Sequence, residues 1–150
     1  MRIERIAATR FGPLRDLDIP LDLPPSGGVV VVEGPNEAGK STLLRFISAI
    51  LFGGAPAHGA LVVQHGGGHY RIEQRGARGT LALTDLGTGR PVEPTLLQRM
   101  VGNLDGKVYR QVFAFGLEEL QTLSTLTGEG VQERIFSAAV AGGGRSVREV

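Results

Sequence analysis

The chain contains no cysteine, so disulfides, thiolate zinc sites and cysteine nucleophiles are excluded. Lysine is scarce: Lys40 and Lys107 stand alone, and arginine carries the rest of the positive charge. Neither sign of charge is in excess, with 16 basic against 15 acidic residues in 150. No global field therefore draws the chain to nucleic acid or to a membrane surface. No apolar run approaches the roughly 20 residues that cross a bilayer. Met1-Arg2-Ile3-Glu4-Arg5 leads into an alternating pattern, not into the apolar core of a signal peptide. Asn-Lys-x-Asp, the guanine-reading motif, is absent. One cytoplasmic domain with a substantial core is the expectation at this length.

What is present is more specific. Gly34-Pro35-Asn36-Glu37-Ala38-Gly39-Lys40-Ser41-Thr42 fits the phosphate-loop pattern G-x-x-x-x-G-K-[ST] without a mismatch. Gly34 and Gly39 permit a tight backbone whose N–H groups point at an anion. Lys40 offers a mobile charge to β- and γ-phosphate oxygens, and the Ser41 hydroxyl suits a magnesium ion. The loop should open a helix, whose N-terminus favours negative charge. Leu43, Leu44, Phe46, Ile47, Ile50 and Leu51 follow at roughly helical spacing, and Gly53-Gly54 stops the run. Gly28 to Glu33 precedes the loop with four valines, which predicts a buried strand.

Around this unit, the pattern predicts a strand over 3–11, a turn at Gly12-Pro13 and a second strand over 14–21 paired antiparallel to the first. The loop would then follow three strands. After a loop at 55–59, strands over 60–64, 69–74 and 80–85 should form a meander through glycine-rich turns. Residues 94–101 read as a short helix, and Asp105 as the cap of a helical turn reaching Arg110. A short buried strand is expected over 112–115, with helices over 117–123 and within 128–141.

No apolar strand closing on Asp-Glu occurs in these residues. In many phosphate-loop ATPases that element holds a magnesium ligand and the general base. An N-terminal fragment or a truncated reading frame is the expectation.

Several segments resemble the ATP-binding-cassette heads of the SMC, RecF and SbcC group, and within it the YhaN-type AAA domain. They are Phe11-Gly12-Pro13-Leu14, the loop with Leu43-Leu44, Leu51-Phe52-Gly53, the stretch from Val108 to Gln121, and Arg134 to Ala139. The resemblance implies an α/β fold: a P-loop NTPase, the N-terminal lobe of such a head over 1–150, with antiparallel strands beside the nucleotide-binding core. It implies ATP and Mg2+ as cofactors, bound by Gly34, Pro35, Asn36, Glu37, Ala38, Gly39, Lys40, Ser41 and Thr42, with Lys40 catalytic and Ser41 on magnesium. Thr9 and Arg10 would touch the nucleotide. Relatives carry a magnesium-contacting glutamine after the strand corresponding to 112–115. Here Gly116-Leu117-Glu118 stands at that place, and Gln121 is the candidate. The implied partners are the chain's own C-terminal lobe, a second head in a homodimer, and DNA, in repair or processing.

Other features have plainer readings. His65 and His69 bracket Gly66-Gly67-Gly68 as the ends of an exposed hairpin, since no ligand set completes a metal pair. Glu118 and Glu119 point in different directions on a helix and suit a solvated face. Arg71, Arg75 and Arg78 suit a wet sheet face as well as a DNA-facing strip. A small-molecule kinase and a non-hydrolysing nucleotide-binding module remain the alternatives. The kinase is disfavoured by strands preceding the loop.

Overall fold

Alternating apolar and charged residues at the N-terminus build a hairpin. In a computed structural model, which describes residues 1–24, 26–75, 80–114 and 116, strands β1 (Arg2–Phe11) and β2 (Leu14–Pro20) pair antiparallel. Leu17 and Ile19 face the core side while Asp18 between them is exposed, as a period of two requires. Helix α1 (Lys40–Phe52) comes next. Strands β3 (His58–His65), β4 (Gly68–Arg75) and β5 (Thr80–Asp85) form the expected meander. A two-residue strand, β6 (Pro91–Val92), was not foreseen and extends it. Helix α2 (Thr95–Met100) follows. The sheet order is β2-β1-β3-β4-β5-β6. Because β1 is antiparallel to both β2 and β3, those two strands run parallel, joined through α1 with β1 between them.

The core lies between α1 and one sheet face. Ile6, Ala8, Leu61, Val63, Ile72 and Leu83 supply the sheet side, and Leu43, Phe46, Ala49 and Ile50 the helix side. Phe46 is fully buried and meets Phe11 edge-on, with centroids 5.5 Å apart. Gly59 sits beneath it. A Cβ at Gly59 would lie 2.2 Å from Ala7 O and 2.8 Å from Phe46 Cζ, so the helix approaches β3 only because that position lacks a side chain.

Two expected strands are not found. Residues 28–33 form no strand, and Val29 and Val31 are 88% and 72% exposed. A strand apolar on both faces needs neighbours on both edges and cover on both sides. Among the described residues no backbone hydrogen bond engages 28–33. The loop therefore follows two strands, not three.

The described residues divide at Val101–Gly102 into two units. In the second, Val112 ends helix α3 (Gly106–Val112) where a strand was expected. The Asp105 side chain accepts from Lys107 N at 2.6 Å, and Phe113 N donates to Tyr109 O at 2.8 Å. This local cap propagates a helix through a β-prone sequence. Phe113 is 59% exposed and stacks on Tyr109. The helices expected over 117–123 and 128–141, with Glu118, Glu119 and Gln121, lie outside the described residues. So does Arg78. No helix among the described residues is long and apolar enough to cross a membrane.

Glu4, at an irregularity in β1, reaches across β3 to His69, whose Nδ1 lies 2.8 Å from Glu4 Oε2. Arg2 Nη2 donates to the other carboxylate oxygen at 3.1 Å. The His69 hydrogen bond holds the Glu4 carboxyl below its ordinary value; burial opposes it, and the Arg2 hydrogen bond adds a smaller lowering.

Two outcomes follow from these contacts. Gly59→Ala drives a methyl group into backbone and should destabilise the protein by about 3 kcal/mol in urea denaturation. A depressed carboxylate stabilises the fold above its unfolded pKa and loses that contribution as pH falls through the folded value. From about pH 5 to about pH 3, the melting temperature should therefore fall less steeply for Glu4→Gln than for the unaltered chain.

Candidate functional site

Residues 34–38 form an exposed turn ahead of α1. Ala38 N donates to Pro35 O at 3.2 Å. Two residues take left-handed backbone: Glu37 with φ +66° and Gly39 with φ +94°. The second is ordinary for glycine. The first is uncommon for a side-chain-bearing residue and strains the loop by about 1 kcal/mol.

Gly39 is the N-cap of α1 and makes no side-chain cap. Its carbonyl accepts from Leu43 N at 2.8 Å, the first bond of the helix. No acidic residue occupies the first turn. The first-turn N–H groups thus lack both a capping oxygen and a compensating charge, which is the arrangement an anion satisfies.

Lys40 folds back over the loop. Its Nζ donates to Gly34 O at 2.8 Å and to Pro35 O at 2.7 Å. An ammonium has three donors, so one remains for a ligand. The two bonds tie the start of the loop to the first helical residue. Lys40 and Ser41 are exposed side by side, whereas Thr42 is buried. Arg45 Nε reaches Ser41 O at 3.4 Å from one turn further on.

The contiguous residues of the expected site, Gly34 to Thr42, are thus brought together as one loop and helix start. Among the described residues no hydrogen bond joins Arg10 to them. Arg10 lies in β1 opposite Arg15 and His58, with an exposed side chain. Its neighbour Phe11 packs on α1, so Arg10 projects from the other sheet face. Gln121, the expected magnesium contact, lies outside the described residues. Among the described residues no cluster of three acidic or imidazole side chains offers a metal site, and His69 is engaged by Glu4.

The contacts under the loop escaped the sequence reading. A Cβ on Gly39 would lie 3.0 Å from Leu14 Cδ2, and one on Gly12 3.3 Å from Thr42 Cγ2. The Gly12-Pro13 turn was the available signal, but pattern alone does not say what a turn packs against.

Gly39 and Gly53 make a natural comparison. Both have positive φ, but Gly39 is left-handed helical with ψ 13° whereas Gly53 has ψ −153°, and a Cβ on Gly53 meets nothing within 4 Å. Gly53→Ala should cost about 1–3 kcal/mol of stability through backbone strain alone. Gly39→Ala should cost about 1–2 kcal/mol through strain and more through crowding against Leu14, as paired urea titrations would show.

The family model described as an AAA domain, AAA_27, matches residues 1–149, essentially the entire chain. An AAA domain carries nucleotide binding of the ATPase type, and the exposed loop at the start of α1 is a site of the right chemistry for it. On this match the chain belongs to the AAA-domain family.

Proposed function

We propose that the chain binds Mg-ATP at the loop Gly34–Thr42. The observation carrying this reading is that Lys40 and Ser41 stand exposed together on an uncapped, acid-free helix start. The backbone N–H groups of 36–42 would hold phosphate oxygens, Lys40 would turn its remaining donor to them, and Ser41 would meet the magnesium ion. Bound there, the ion neutralises charge on the terminal phosphates. Lys40 already ties the start of the loop to the helix by donating to two of its carbonyls.

The finer reading is an N-terminal lobe of a YhaN-type head in the SMC, RecF and SbcC group, acting in DNA repair or processing. It rests on the segments around Phe11–Leu14 and Val108–Gln121. In this reading a C-terminal lobe and a second head enclose the phosphates from the far side. The two-faced valine run beside the loop supports it, because its apolar exposure calls for strand neighbours. Transition-state charge must be enclosed on both sides. Residues 1–150 alone therefore bind ATP and turn it over negligibly.

Calorimetry with Mg-ATP tests the site. Lys40→Ala should weaken binding about a hundredfold, while the thermal unfolding transition persists. Equal affinities would sink the assignment. Phosphate release by residues 1–150 should stay at background. Brisk release, lost in Lys40→Ala, would place a complete catalytic apparatus within this chain and overturn the division of the site between lobes.

A further inference from the structure

We infer that the tip of the β1–β2 hairpin is a positioning element for the phosphate loop, with Leu14 as its positioning residue. The inference rests on the nucleotide-binding reading of that loop. Two contacts carry it. Leu14, itself buried, brings Cδ2 against the backbone of Gly39, where a Cβ would lie only 3.0 Å away. Gly12 has φ +54° and brings its backbone against Thr42, where a Cβ would lie 3.3 Å from Cγ2. The contacted residues, Gly39 and Thr42, flank Lys40 and Ser41.

That spacing has a directional consequence. Residues 39 and 42 are turned toward the hairpin tip, so 40 and 41 are turned away from it into solvent. The tip thereby sets the direction of the two side chains expected to meet phosphate and magnesium. It is itself braced: Arg15 Nη1 donates to Gly12 O at 2.5 Å and to Leu14 O at 2.7 Å. Phe11, just before the tip, is held against Phe46 on the same helix. The turn, the loop and the helix start therefore move as one body. A gap under Gly39 would let the loop settle toward the hairpin and misdirect Lys40.

The test compares Leu14→Ala with Leu83→Ala. Both remove the same atoms from the same core, but Leu83 lies in β5, three strands from β1. Leu14→Val and Leu83→Val form the milder pair if an alanine variant does not fold. In the ligand-free protein, amide hydrogen exchange over 43–46, the first bonded amides of α1, should accelerate about tenfold in the Leu14 variants and not in the Leu83 variants at matched stability. The Kd for Mg-ATP should rise about five- to tenfold in the Leu14 variants alone. Leu14→Met, which conserves volume, should restore both readouts. Unchanged exchange over 43–46 in the Leu14 variants overturns the coupling whether or not nucleotide binds. Altered exchange with unchanged Kd overturns the positioning role. Altered exchange in a chain that binds no Mg-ATP overturns the nucleotide-binding reading, and the positioning role with it.

Discussion

The burial of Phe46 is the constraint on which the other contacts depend. Its ring fills the space above Gly59 and takes the edge of Phe11, so one side chain joins α1 to β1 and β3 at once. Burying such a ring contributes about 2–3 kcal/mol by area alone. Its larger role is geometric. A helix held by one large, fully enclosed ring has little freedom to rotate about its axis. Phe46 lies six residues after Lys40, within two turns of the helix start. The orientation of the phosphate loop is thus inherited from packing in the middle of the helix.

Most of the sheet was legible because its signals are local. Alternation marks β1 and β2, and glycine-rich turns separate β3, β4 and β5. Gly39 and Gly53 bound α1 by their backbone freedom, and Asp105 caps α3 as its residue type suggests. The misreadings have separate causes. Four valines specify a strand only where other strands and layers receive them, and local sequence cannot supply those. At 112–114 a cap a few residues upstream outweighed β propensity. Glu4 and His69 meet across sixty-five positions of sequence, a distance no pattern spans.

The candidate site divides along the same line. Gly34 to Thr42 is contiguous, so its residue types and spacing could be read directly. The left-handed Glu37, the Lys40 bonds to Gly34 and Pro35, and the hairpin beneath Gly39 are properties of the folded loop. Arg10, drawn into the site by resemblance, stands in a row with Arg15 and His58 on the sheet. Like charges directly opposite on neighbouring strands repel, so the Arg10–Arg15 pair is an electrostatic load the hairpin carries at its exposed face.

The position of β1 between β2 and β3 also bears on how the chain reaches this fold. Pairing β1 with β2 closes a short turn, and β3, β4 and β5 likewise add by adjacent hairpins. Such local events occur within about 1–10 μs. Pairing β1 with β3 is different, because the whole connection carrying the phosphate loop and α1 must be drawn closed first. Loop-closure entropy falls on that pairing, and the burial of Phe46 over Gly59 is among the contacts that offset it. The segment from Gly34 to Phe52 is accordingly the span whose closure unites the two halves of the sheet.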